Sequence, residues 1–412
     1  MKIFLMICWR NLWRHKRRSL VVISSVALGI FAMLISLGIL NGVMTQMVDN
    51  TISTSLGHIS LQKKGFRDNM RLEYSFMPDE TVKKALGGEK IRIRAFAPRV
   101  KVQGMIRSSE ASRSVLVVGV DPERERRVSR ISHYTVKEGG SSYLTSPGSS
   151  EILISRSMAE KLDLVPGDRL VLMIQDRRGQ IVGSGMIVKG IFQSPVDMMD
   201  RFVVFVGLER LQEITGLQGK ISEINAVLYN REDVPKVKSH LLAEMGDSSL
   251  TVLSWMDMAP FLVSSIRIVD VMMYVSFAII FITIIFSIAN TLIMAIMERF
   301  HEIGVMKSIG TKPSWIFFMI LFEALNLGVL GLAAGIAAGL FGTALMNVTG
   351  LDLSFGSESL RVIGSGSVIY PAVKGLDILM AGLIVLVTTV AAALLPARKA
   401  ARINPLNALT YI

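Results

Sequence analysis

Four stretches of this chain leave little choice of solvent. Residues 20–40, 271–297 and 378–395 contain no charged side chain, and residues 314–346 contain only Glu323. A run of about 18 or more apolar residues, rising about 1.5 Å each in a helix, can cross a hydrocarbon core of about 30 Å. Each stretch qualifies as a span. With 51% apolar residues, the chain as a whole is too apolar for an ordinary soluble domain. The long segment between the first two runs is mostly polar and has to fold outside the lipid.

The net charge of +12 is unevenly placed. Arg10, Arg14, Lys16, Arg17 and Arg18 precede the first run. Arg299, Lys307 and Lys312 lie between the second and third, and Arg398, Lys399 and Arg402 follow the fourth. The positive-inside rule puts all three clusters in the cytoplasm, which predicts a multi-pass membrane protein with both termini cytoplasmic. Because the charges track the span ends, no nucleic-acid partner is expected. Residues 1–18 read as a cytoplasmic amphipathic elbow helix, with Phe4, Ile7, Leu12 and Trp13 toward lipid. The expected plan continues with the first span at 19–42, an extracytoplasmic α+β domain at 43–265 and the second span at 266–297. A cytoplasmic coupling segment at 298–312, the third span at 313–346, a short outer loop at 347–375, the fourth span at 376–396 and a cytoplasmic tail at 397–412 follow. No small-residue cleavage site follows the first span, so it is not expected to be a removed signal. A single cysteine, Cys8, excludes an intramolecular disulfide.

The fold class is therefore membrane α-helical, four transmembrane helices, with a large mixed α+β domain inserted between the first and second. Within that domain, strand patterns fall at 57–62, 113–120, 169–175, 181–192, 202–206, 223–229 and 250–253. Helices are expected at 155–162, 208–215 and 234–245, with Ser155 and Asp233 as N-caps. Arg177-Arg178-Gly179-Gln180 forms a hairpin turn. The order of helices and strands suggests a split α/β sandwich of the ferredoxin-like kind. The mixed-charge run 121–127 reads as a solvated loop or helix start, with partner docking as the alternative.

No phosphate-binding loop, zinc-protease motif or nucleophile elbow occurs. The five histidines are scattered, so no metal site is expected. The chain reads as a non-catalytic subunit with no cofactor bound directly, and any fuel is burned elsewhere. Residues 298–310 suggest where such work enters. Arg299 and Glu302 are three apart on a helix, Gly310 supplies its stop, and Pro313 suits the first turn of the next helix. Phe300, Ile303 and Met306 form a short apolar stripe. A charged helix pinned between two spans is suited to dock in the groove of a soluble motor.

Two further features lie in the third span. Gly331, Gly335 and Gly339, four apart, bare one helix face for close packing, within the chain or between subunits. Glu323 is expected near the cytoplasmic boundary, paired with Lys312 or a cation of another helix, with a proton relay as the sharper alternative.

Three separated motifs carry a family resemblance. "ERFHEIGVMKSIGTKPSWI" resembles the cytoplasmic segment of the FtsX/MacB/Lol-type (type VII) ABC transporter permeases. "PARKAARINPLNAL" is similar to their C-terminus, and "WRNLWRHKRRS" to their N-terminal elbow. The resemblance covers the whole chain. It implies two copies of a separate ABC ATPase, using ATP and Mg, docked on Glu298, Arg299, Glu302, Ile303, Gly304, Lys307 and Gly310. It also implies a second permease subunit, identical or different. Length and plan resemble the lipoprotein-releasing (LolC/LolE-like) permeases, as do "SLGILNGVMTQMVDNTISTSLGHISLQ" and "ILISRSMAEKLDLVPGDRLVLM" in the outer domain. The implied function is extraction of lipoproteins from the inner membrane, with membrane lipid, lipoprotein cargo and a periplasmic chaperone or adaptor as partners. Met33, Leu37 and Met44 on the first span, with Met272 and Met273 on the second, are candidates to line a lateral opening for acyl chains. The short hairpin 177–180 departs from the protruding hook of the chaperone-recruiting permease, which suggests the non-hook partner or a relative with other cargo. Export of a peptide, antibiotic or other amphiphile through an adaptor, and regulation of a periplasmic hydrolase, stay open as alternatives.

Overall fold

The computed structural model describes residues 10, 14, 16–87, 93–137, 139–245, 249–356, 361 and 364–404. Most of the expected elbow helix and residues 405–412 of the tail lie outside the described residues. The chain divides into two compact units. One comprises Met1–Met44, Ile266–Leu353 and Val368–Ile412; the other comprises Thr45–Ser265 and Ser354–Ser367.

The four helices long and apolar enough to cross a membrane are Lys16–Thr51, Pro260–Glu298, Pro313–Thr349 and Gly375–Ala401. All four outrun the apolar stretches that announce them. The first continues to Thr51 because Asn41, Gln46, Asp49 and Asn50 leave the apolar pattern without breaking a helix. Hydropathy marks a change of solvent, whereas a helix ends only at a cap or breaker. In the first unit these helices pack around Val22, Val26, Ile30, Ile288, Leu292, Ile320 and Leu327. A Cβ at Gly331 would sit 2.7 Å from Val26 Cβ, one at Gly335 2.6 Å from Ile30 Cβ, and one at Gly339 2.8 Å from Leu34 Cδ1. The glycine face thus receives successive turns of the first long helix within the same chain. Gly328 meets Thr389 of the fourth long helix in the same way, at 2.5 Å.

The second unit is built on one nine-stranded sheet, in the order β3-β7-β4-β6-β5-β2-β8-β1-β9, with an extra pairing of β2 and β3. The strands are β1 Ile59–Lys63, β2 Ile93–Arg107, β3 Ser112–Val120, β4 Glu151–Ser155, β5 Arg169–Gln175, β6 Ile181–Phe192, β7 Val203–Gly207, β8 Glu223–Leu228 and β9 Leu250–Ser254. The extra pairing closes β2, β3, β7, β4, β6 and β5 into a ring. Apolar side chains from all six, among them Val102, Val117, Ile154, Leu172, Val188 and Val206, share one core. The remaining arc, β2-β8-β1-β9, is antiparallel throughout. With helices Glu80–Gly87 and Val234–Met245 it is the split β-α-β arrangement expected from the sequence. The ring is inserted between its second and third strands. β2 serves both, since its first half pairs β8 and its second half pairs β3 and β5.

Several elements match no expected run, among them β2, β4 and the helix Glu80–Gly87. β2 hides because Pro98 and the buried Arg99 interrupt its alternation. β4 is a buried run only five residues long. Residues 121–127 prove to be the start of a real helix, Pro122–Val128, with Asp121 Oδ1 accepting from the Glu123 and Arg124 amides at 3.0 and 3.3 Å. Ser155 caps its helix as expected, accepting from the Met158 amide at 3.2 Å. Asp233 instead lies in the 3-10 turn Arg231–Asp233. The β5–β6 turn is tight: Asp176 Oδ1 accepts from the Arg178 and Gln180 amides, both at 2.8 Å, and Gly179 takes φ +81°.

Candidate coupling site

The charged segment after the second long helix folds as the short helix Phe300–Ser308. The preceding helix stops at Glu298, and Arg299 leaves helical geometry with φ −101° and ψ 16°. Gly310 reverses the chain with φ +94°, a conformation that suits glycine. Pro313, without an amide hydrogen to satisfy, opens the third long helix.

The apolar stripe of this helix turns inward. Ile303 is 2% exposed and joins the helical core, with Met306 packed against it, and Gly304 is buried. The outward side carries His301, Val305 and Ile309, one turn apart. Sequence reasoning missed these three. Their i, i+4, i+8 spacing was the available signal, on the face opposite the stripe.

Around the helix, charges from separate parts of the chain meet. Glu302 Oε1 lies 3.0 Å from Arg14 Nη1, and its Oε2 lies 3.3 Å from Arg299 Nε. Glu298 pairs with Arg18. Arg299 Nη1 reaches Glu323 Oε2 at 3.1 Å. Glu323 therefore pairs with the helix-start arginine rather than with Lys312. Both members are 14% exposed, so this link is less screened than the Arg14–Glu302 pair, whose arginine is 63% exposed. Lys307 Nζ donates to the carbonyls of Ala401 and Ile403, at 3.0 and 2.6 Å. It thereby caps the last turn of the fourth long helix, where carbonyls lack intrahelical partners and the helix dipole favours a cation. The elbow arginines, the short helix and the C-terminal turn, three motifs far apart in sequence, form one connected cluster.

Beside this cluster an apolar cavity of about 200 Å³ is lined by Ile293, Met297, Phe300, Pro396, Lys399 and Ile403. Among the described residues no group of three or more His, Cys, Asp or Glu side chains is arranged to hold a metal.

The residues proposed to line a lateral opening separate. Met33 and Leu37, each 2% exposed, pack with Ala381 against Met273, Phe277 and Ile280. Met44 is half-buried, whereas Met272 is 64% exposed.

Residues 274–405 match the FtsX-like permease C-terminal family, and residues 19–244 match the MacB-like periplasmic core domain. The chain is 22% identical to the lipoprotein-releasing system transmembrane protein LolC of Xylella fastidiosa, over 97% of this chain and 96% of that one. It is 23% identical to the lipoprotein-releasing system transmembrane protein LolE of Haemophilus influenzae, over 77% and 78%. Among solved structures, the periplasmic region of MacB from Actinobacillus actinomycetemcomitans covers 54% of this chain and 97% of its own, at 10% identity and a TM-score of 0.36.

Proposed function

Because the chain belongs to the FtsX/MacB-type ABC permeases, non-catalytic membrane subunits that work with a partner ATPase, we propose that it extracts lipoproteins from the inner membrane. In this reading two permease subunits and two ATPase copies form the complex, and both termini lie in the cytoplasm. The ATPase grips the helix Phe300–Ser308 and the residue after it by the outward face, His301, Val305 and Ile309, flanked by Glu298 and Glu302, while Lys307 passes the displacement to the end of the fourth long helix. Gly310 sets the turn that holds the helix in place. Ile303 and Gly304 act from the inner side, passing displacement into the helical core.

The observation that carries this reading is the connected cluster. Glu302 ties the short helix to Arg14, Arg299 ties it to Glu323 of the third long helix, and Lys307 ties it to the end of the fourth. A push on the short helix therefore reaches several elements of the helical unit together. Glu323 has a structural occupation in this network, which favours a strut over a proton relay.

Lipoprotein cargo is supported by the near full-length similarity to proteins of the lipoprotein-releasing system. Acyl chains would enter from the exposed side of the second long helix, at Met272. Met33, Leu37 and Met273 would come into play only if that packing opened, with Met44 at its upper margin. The tight β5–β6 turn fits a subunit that leaves chaperone recruitment to its partner.

The test is the charge reversal Glu302→Lys in the complex co-expressed with its ATPase. It places a cation against Arg14 and Arg299. Co-purification of the ATPase, or release of a lipoprotein into a periplasmic acceptor per ATP hydrolysed, should fall at least tenfold. Undiminished coupling in that variant would contradict the docking site. Normal ATPase coupling with no lipoprotein release by the unaltered complex would instead reject the cargo.

A further inference from the structure

The mixed-charge helix Pro122–Val128 sorts its charges by side. Glu125 turns inward to the buried Arg99. Asp121 caps the helix and lies 3.4 Å from Arg124, and the Arg126 guanidinium stands 5.2 Å over the Tyr143 ring. Arg127 is left facing solvent beside Arg94 of β2, whose Nη2 donates to the Arg127 carbonyl at 3.3 Å. Two clefts, of about 450 and 350 Å³, both have Arg94 and Arg127 in their walls. Arg124 adds to the first, and Arg126, Arg130, His58 and His133 add to the second.

Among the described residues the carboxylate in these walls is Asp49, and Arg231 engages its Oδ1 at 3.0 Å. Among the described residues no carboxylate forms an ion pair with Arg94, Arg127 or Arg130. Guanidinium groups gathered without counter-charge repel one another, and a bound anion relieves that repulsion. His58 registers the same field. Burial first, then Arg231 and Arg94, lower its pKa from 6.5 to about 4, and its Nδ1 accepts from the Leu228 amide at 3.2 Å. Apolar side chains, Phe96 and Ile93 in one cleft and Ile52 and Leu228 in the other, stand beside the arginines. A guanidinium fork matches the oxygen geometry of phosphate in a way that a point charge does not.

We propose that these adjoining clefts bind a phosphate-bearing anion, held between Arg94 and Arg127 with Arg130 completing the charge. A phospholipid headgroup and a free phosphate share this chemistry. The site is separate from the coupling cluster and does not depend on an ATPase or on the identity of the cargo.

The test is calorimetry on the full chain in neutral detergent at low salt, where exposed charges are least screened. The probes are inorganic phosphate, dihexanoylphosphatidate below its micelle concentration, and pentaglutamate. Saturable binding of the phosphate probes is expected. Arg94→Ala with Arg127→Ala should weaken it at least tenfold, while Arg107→Ala with Arg169→Ala, which removes the same charge elsewhere, should leave it within twofold. Arg94→Lys with Arg127→Lys should give an intermediate loss, since charge is kept and the fork is not. Tighter binding of dihexanoylphosphatidate than of phosphate assigns the site to a lipid headgroup, and equal binding assigns it to a free phosphate. The proposal is overturned by absence of saturable binding, by equal loss in the control pair, or by pentaglutamate displacing phosphate at matched concentration. The last result would mark a surface for acidic peptides. All these arginines are exposed, and an unchanged melting temperature of each unliganded variant separates lost binding from lost fold.

Discussion

Arg99 is the residue where sequence patterning and structure diverge most sharply. It stands 2% exposed in the middle of β2, with its Nε and Nη2 donating to Glu125 at 3.0 and 2.5 Å and its Nη1 donating to the Ser55 carbonyl. Glu223 lies 3.8 Å away and also holds Lys101 at 2.7 Å. Burial opposes the arginine's charge, but Glu125 and then Glu223 overcome it and raise its pKa. The fork joins three parts of the second unit: the segment after the first long helix, β2, and helix Pro122–Val128. Removing one member of such a pair leaves an uncompensated buried charge, at a cost of about 3–5 kcal/mol. Glu125→Gln should fall near the lower end, because Glu223 remains close. Denaturation of the purified full chain, followed by hydrogen exchange across β2 and residues 122–128, reads this directly. A loss below about 1 kcal/mol would mean that the pair is replaceable by a neutral hydrogen bond.

At the scale of elements, the glycine face of the third long helix sets how closely the first long helix approaches. Lipid tails are as apolar as the side chains, so packing and close backbone contact have to hold such helices together. Gly335→Val would bring a branched side chain against Ile30 Cβ, 2.6 Å from the new Cβ position, and the Ala27 carbonyl oxygen at 2.9 Å. The backbone oxygen cannot rotate aside as a side-chain tip can. Overpacking of this kind costs about 1–3 kcal/mol, and the melting temperature of the chain in detergent should fall accordingly. Gly375→Val, at a position where nothing lies within 4 Å of a new Cβ, is the control. The glycine spacing was legible because a four-residue repeat in an apolar run has few other uses; which helix it receives was not, since every long helix offers apolar partners. The ferredoxin-like half was legible in part: β1, β8, the helix Val234–Met245 and β9 fall in expected runs, whereas β2 and the helix Glu80–Gly87 do not. The six-stranded ring was not, because its closure depends on the pairing of β2 with β3 and on β2 itself, whose alternation Arg99 and Pro98 conceal. At the coupling site, the charged segment and its glycine stop could be read directly. Its inward and outward faces could not, since the charges flank an apolar stripe that reads equally as core or as docking surface.

At the scale of the whole molecule, the proposed coupling asks how a displacement of the nine-residue helix Phe300–Ser308 would become a movement of the helical unit. Docking and transmission make separable demands. In the proposed reading, docking falls to the outward side, where His301, Val305 and Ile309 are exposed. Transmission requires links to other elements, and Lys307 provides one by donating to Ala401 and Ile403 at the end of the fourth long helix. Lys307→Met keeps the aliphatic length of the side chain and removes its donors. The carbonyls it caps then return to water at the helix end, where their loss costs about 0.5–1.5 kcal/mol, too little to unfold a bundle packed over four long helices. The expected outcome in the complex is therefore split: the ATPase co-purifies in unchanged amount, while turnover stimulated by the permease falls several-fold. Loss of co-purification would place Lys307 in the docking surface itself. Unchanged stimulation would show that the link to the fourth helix carries no work, leaving Arg299 and Glu323 as the route into the bundle.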